Sequence, residues 1–440
     1  MSGRPHLLYT AWGFPPSRAG GVYRALATVN AFAERGWDVT VLTTPRETFL
    51  NSTGGDLALE ERIDQRVDIV RVPVSTPAFS SDLTEWSWWR ARHPELWVAA
   101  DWRRDLVRFP ERAYGRWRPA LEEAALRVHR EHPVSLALGT ANPHVDFLPG
   151  WKLHRAASVP FVMDYRDSWR LDVFSGRTVH GDRSRAGRWE KRLQDAAAEI
   201  WFVNEPIARW QAERNPSAAG RMHIVANGFD EYEKPLRVPV RDRGAGGLRF
   251  GYIGTMSENV PIPQLLEGWR RARASSDVMR DAELIIHGYL GHFGAGGSAG
   301  DAIAEAGADG VRFAGPVSKT TIGDVYRDFD VLVLALGSGR YVTSGKVYEY
   351  AATGIPIVSI HEPTNAATDV LLGAPSWDAT ASLSIDDIAT ALLAGATRAA
   401  SETDEDRRVA QDWGRQFERG RQLGARIDAL RELAGMRGTS

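Results

Sequence analysis

The chain has 440 residues, 43% apolar and 25% charged, which excludes a disordered or fibrous protein and is enough for two domains with full cores. A formal net charge of −2 gives no global positive field for a nucleic acid, and the absence of cysteine excludes disulfides, thiolate metal sites and a cysteine nucleophile. No apolar run is long enough for a signal peptide or a membrane span, so a cytoplasmic location is the expectation.

The first half alternates short apolar runs with longer amphipathic stretches. "HLLYTAW", "WDVTVLTT", "DIVRVPV", "SLALGT", "PFVMDYRD" and "EIWFVN" read as strands, and "GVYRALATVNAFAERG" reads as a helix. This is the βαβ rhythm of an open parallel sheet. One segment, at about 80–120, breaks the rhythm by interleaving Trp86, Trp88, Trp89, Trp97, Trp102 and Trp117 with arginines. Its rings are either core anchors of extra helices or, for Trp86, Trp88 and Trp89 above all, a contact surface for a sugar, an aromatic aglycone or a lipid carrier.

After "ANGFD" the polar, Pro- and Gly-bearing stretch to residue 247 reads as a linker. The predicted division is a first domain over 1–238, a linker over 239–247, a second domain over 248–410 and a C-terminal helix over 411–440. The second domain repeats the strand rhythm with "LRFGYIGT", "AELIIHGY", "GVRFAGPV", "DVLVLAL" and "IPIVSI". Two doubly wound sheets in tandem usually bind a ligand between them, at the carboxyl ends of their strands.

The stretch "GRYVTSGKVYEYAATGIPIV", 339–358, resembles a phosphate loop but fails the P-loop register. Arg340 stands where the first glycine belongs, and Val347 where a hydroxyl residue would hold magnesium. The spacing instead predicts a short helix with Ser344 at its N-cap and Gly354 at its C-cap. Gly345 and Lys346 then lie in the first turn, where free N–H groups favour an anion, with Glu349 three residues on along the same face. They suit a nucleotide, Lys346 for phosphate and Glu349 for a ribose diol. A surface ion pair between the two is the alternative.

Taken together, several stretches resemble the retaining glycosyltransferases of the GT-B fold, the family-4 type (glycosyl transferases group 1). They are "PPSRAGGVYRALATVNAFAERGWDVTVLTT", "GTANPHVDFLPGWKLHRAASVPFVMDYRDSW", "ANGFD", "GVRFAGPVSKTTIGDVYRDFDVLVLAL" and "SGKVYEYAATGIPIVS". The resemblance implies an α/β chain of two Rossmann-like doubly wound domains facing each other across a cleft. It implies transfer of a sugar, hexosyltransferase type, from a UDP, GDP or TDP sugar to a hydroxyl or amine of a bulky acceptor, with retention at the anomeric carbon. The acceptor would be a natural product or a lipid-linked or polysaccharide intermediate, with peripheral membrane contact as one possible partner surface. No cofactor and no metal are implied.

Residue by residue, the resemblance puts Glu349 on the ribose, Gly20 and Gly21 near the diphosphate and Val317 beside the base. Gly254 and Thr255 stand where many members carry a glycine followed by arginine and, further on, lysine; this basic pair is absent. Tyr341 replaces the first acid of the family's Glu pair. Arg340 and Lys346 then supply the positive charge a departing diphosphate needs. His144 or Asn142 would hydrogen-bond the donor sugar or the developing charge, and Asp167 would reach an acceptor hydroxyl unless it belongs to a structural ion-pair network around Arg166. The rival readings are a nucleotide-sugar epimerase of the same fold and a catalytically silent member that binds a partner protein.

Overall fold

The structure, a computed structural model, describes residues 4–50, 54–75, 77–79, 82–230, 238–242, 246–256, 259–289, 298–317, 321–337 and 339–435. Packing divides the chain into two units, residues 1–226 with 422–440, and residues 227–421.

Unit one is built on seven parallel strands: β1 His6–Thr10, β2 Asp38–Thr43, β3 Val67–Arg71, β4 Leu136–Ala141, β5 Phe161–Tyr165, β6 Glu199–Phe202 and β7 Met222–Ile224. They are ordered β3-β2-β1-β4-β5-β6-β7. Every residue of β1, β4 and β5 is buried, which is why these strands read as unbroken apolar runs rather than alternations. β1 pairs with both β2 and β4, so the strand order reverses at that point and the loops after β1 and β4 lead away in opposite directions.

Unit two repeats the plan with β8 Arg249–Ile253, β9 Glu283–His287, β10 Val311–Gly315, β11 Val331–Ala335, β12 Ile357–Ile360 and β13 Trp377–Ala379, ordered β10-β9-β8-β11-β12-β13. The reversal falls between β8 and β11, where Val331 registers with Phe250. Each unit has its own buried core, around Trp269, Leu284 and Val333 in unit two and around Tyr9, Val41 and Leu138 in unit one.

The division differs from the predicted one at both ends of unit two. It falls at 226/227, not 238/239. Part of the predicted linker, 231–237 and 243–245 being outside the described residues, packs on unit two: Arg241 pairs with buried Asp330 at 2.6 Å, and Arg407 donates to the Val238 and Pro239 carbonyls. The predicted terminal helix is two helices. Asp404–Gly414 stays with unit two, while most of Arg419–Gly435 belongs to unit one, where Leu423, Ile427 and Leu430 enter the core. Among the described residues no helix is long and apolar enough to cross a membrane.

Candidate functional site

In unit two the residues of interest gather at the β8/β11 reversal. The helix Gly345–Thr353 begins just past β11, with Ser344 at its N-cap and Gly354, φ 71°, closing it in the left-handed region. Ser344 makes no side-chain capping bond, so its side chain does not occupy the first-turn N–H groups. Tyr350, buried in the middle of the helix, accepts a hydrogen bond from the Ile253 N–H at 2.8 Å and donates to the Ile253 carbonyl at 3.4 Å. This double contact fixes the helix to the end of β8.

Lys346 reaches back over that strand end. Its Nζ donates to Tyr252 Oη at 2.8 Å and stands 4.3 Å from the centre of the same ring. Tyr252 Oη in turn donates to the Thr255 carbonyl at 2.9 Å. The lysine stem lies so close to Gly254, φ +138°, that a Cβ there would sit 2.1 Å from Lys346 Cε. Burial lowers the Lys346 ammonium from 10.5 to about 8, with the Glu349 carboxylate pulling the other way. Glu349 accepts from Tyr326 Oη at 3.5 Å. The Lys346 cation thus rests on a phenol and its ring. The loop bearing exposed Arg340 and half-buried Tyr341 is held by Asn365, which donates to the Gly337 carbonyl at 3.0 Å. Arg340 lies 5.7 Å from the Tyr341 ring. Val317 is half-buried just beyond the end of β10.

In unit one the corresponding reversal carries Gly20 and Gly21 ahead of the helix Val22–Glu34, and Asn142 and His144 after β4. A Cβ on Gly21 would fall 1.2 Å from the Arg166 guanidinium, so a larger residue there would have to displace the end of that arginine. Arg166 donates to the carbonyls of Ala141, at 2.9 Å, and Asn142, at 2.7 Å. The expected ion-pair network around Arg166 is therefore centred elsewhere. Asp164 pairs with buried Arg24 at 2.6 Å and accepts from Thr140, while Asp167 is exposed.

His144 is 4% exposed. Its ring stacks on Trp169 at 4.9 Å, its Nδ1 meets Glu111 at 3.0 Å, and its buried Nε2 has no hydrogen-bond partner among the described residues. Glu111 also accepts from the backbone N–H groups of His144 and Val145, so one carboxylate both orients the ring and caps the turn 144–147.

The Trp/Arg segment contains both kinds of ring that its sequence left open. Trp117 is buried and donates to the Val72 carbonyl. Trp86 is half-buried under Arg90, at 4.2 Å, whereas Trp88 and Trp89 are 74% and 42% exposed.

Sequence reasoning missed Tyr252, Tyr326 and Tyr350, which read as ordinary apolar members of a strand and two helices. It also missed Glu111, which nothing in sequence links to His144, 33 positions on.

Two parallel doubly wound units, each with glycine-bordered loops at its strand reversal, define the GT-B class of architecture. Residues 247–386, less than half of the chain, match the family described as glycosyl transferases group 1. No curated protein matches the sequence. Among solved structures, the chain is similar to a glycosyltransferase from Rickettsia africae ESF-5, 10% identical over 98% of both chains with a TM-score of 0.64. It is similar to the lipopolysaccharide outer core galactosyltransferase WaaB, 11% identical over 97% of this chain and 99% of that one, TM-score 0.61. A third is the Anabaena protein HepE in complex with UDP and glucose, 13% identical over 98% of this chain and 100% of that one, TM-score 0.54. At such identities the likeness establishes the fold, and the family match falls on the segment that carries Gly254, Lys346 and Glu349.

Proposed function

We propose that this protein is a glycosyltransferase that takes a sugar from a nucleoside diphosphate donor and passes it, with retention, to a hydroxyl or amine of a bulky acceptor. The observation that carries the reading is the cluster of Lys346, Tyr252, Gly254 and Glu349 at the strand reversal of unit two, inside the segment that matches the glycosyl transferases group 1 family.

In this reading the diphosphate lies over Gly254 and the first turn of the helix Gly345–Thr353, where Lys346 leaves its phenol for the phosphate and Arg340 adds a second cation. Glu349 takes the ribose hydroxyls, and Val317 lies beside the base. Tyr341, in place of a carboxylate, leaves the sugar to be held by hydrogen bonds without a negative charge. The leaving diphosphate accepts the proton of the attacking acceptor, so no separate general base is required. The exposed Trp88 and Trp89 of unit one offer flat apolar faces to an acceptor, with Asp167 within the same unit as a hydroxyl partner.

The test is a thermal-shift panel of UDP, GDP, TDP and ADP sugars on the wild type and on Glu349→Ala and Lys346→Ala. A ligand that binds only the native state raises the midpoint. A rise with one base class, lost in both variants, is the expected result. A rise that survives both substitutions, or none with any donor, would overturn the assignment. Conversion of the bound donor to an isomeric nucleotide sugar without any acceptor would favour the epimerase reading.

A further inference from the structure

Unit one also holds a cavity of about 430 Å³ bordered by the helices Arg185–Ala196 and Glu205–Arg214. Its floor is polar and buried. Gln211 donates to Glu190 at 3.0 Å, Gln194 donates to Gln211 at 3.2 Å, and Asn215 donates to Gln194 at 3.1 Å. Helices packed only for stability put apolar side chains at such positions. Here a buried network of amides, bonded to one another and to Glu190, gives the cavity a polar floor.

The lining is richer in cations than in anions: Arg170, Arg188, Lys191, Arg192 and Arg214 against Asp182, Glu190 and Asp195, five against three. Two of the guanidinium groups share one indole, Arg170 at 5.6 Å and Arg214 at 3.7 Å from the Trp210 ring. Arg170 is 4% exposed. Its Nε forms an ion pair with Glu190 at 3.1 Å but, among the described residues, makes no hydrogen bond. The other side of the same guanidinium is met at 2.5 Å by Asp182, whose side chain is 74% exposed. A solvated surface carboxylate resting on a buried arginine loses little on leaving, so a competing oxyanion can take its place.

We infer that this cavity binds the phosphate of a hydroxyl-bearing small molecule, the phosphate displacing Asp182 from Arg170 with Arg214 as the second cation and the rest of the molecule lying over the polar floor. The inference is independent of the transfer reading, because no donor-side residue takes part.

It is tested by calorimetric titration of the full chain with inorganic phosphate, glucose 6-phosphate and glucose, in a Lys346→Ala background that removes the other phosphate partner. The expected result is saturable binding of both phosphates and none of glucose, tightened about threefold or more by Asp182→Asn and weakened about tenfold by Arg214→Gln. Arg170→Met abolishes binding if the variant folds, and the two surface variants decide the matter if it does not. Absence of saturable phosphate binding in both the parent and Asp182→Asn, or an affinity unchanged by Asp182→Asn and Arg214→Gln, would overturn the inference.

Discussion

Lys346 is held where burial and charge oppose each other. Burial of the ammonium on a phenol and its ring lowers it from 10.5 to about 8, against the pull of the Glu349 carboxylate. Between those values the unfolded chain holds a proton that the folded chain has released, so stability from this residue rises as pH increases from about 8 to 10.5. The difference in Tm between wild type and Lys346→Met is expected to move in favour of the wild type over that interval. Nucleoside diphosphate affinity should fall as pH rises through about 8, as the cation is lost, and the variant's profile should be flat. A wild-type affinity constant from about pH 7 to 9 would remove Lys346 from the phosphate role.

His6 shows the opposite end of the pH scale. Its ring lies between Thr40 Oγ1, at 2.9 Å, and the His132 carbonyl, at 3.1 Å, and stacks on the His132 ring. Burial, helped by His132, lowers it from 6.5 to about 4. Its contribution is present above about 6.5 and is lost as pH falls toward 4, roughly 3 kcal/mol across the interval. Urea unfolding of His6→Asn between those limits should show a shallower acid limb than the wild type.

At the scale of elements, the helix Gly345–Thr353 was legible because its punctuation is local: a serine before it, a left-handed glycine after it, and an apolar strand beyond. What the helix rests on was not legible. Gly254 lies 92 positions before Lys346 and reads as one more glycine after a strand, yet only a residue without Cβ leaves room for the lysine stem. Gly254→Ala should destabilise the protein by about 1 kcal/mol or more, since φ is positive there, and should weaken donor binding. Adding Lys346→Ala should relieve the steric part of the loss without restoring binding, which chemical denaturation and donor titration of the double variant would show.

The Trp/Arg segment makes the same point through burial. Identical residue types separate into a buried ring, Trp117, and an exposed one, Trp88, which composition alone does not distinguish. Trp117→Ala should cost about 3–5 kcal/mol in urea unfolding. Trp88→Ala should change stability by less than about 0.5 kcal/mol.

At the scale of the whole molecule, the chain leaves unit one at residue 226 and returns to it at 422. The final helix fills unit one's core with Leu423, Ile427 and Leu430, each 1% exposed or less. Ile427→Ala should therefore lower the stability of unit one by about 2–5 kcal/mol. Hydrogen exchange should speed up in β1, β2 and β4 and stay unchanged in β8, β9 and β11. Equal acceleration in both sheets would show that the terminal helix is not specific to unit one.

By itself the sequence determined the alternation of strand and helix, the presence of two parallel sheets and the position of the helix Gly345–Thr353, because apolar periodicity, caps and glycines act over a few neighbouring residues. The tertiary structure alone decided which strands meet at each reversal, that Tyr252 receives Lys346, that Glu111 orients His144, that Asp164 belongs to Arg24, and that the last helix returns to the first unit. Those pairings join residues tens to hundreds of positions apart. They are selected by packing, sterics and the burial of charge, which exist only once the chain has closed on itself.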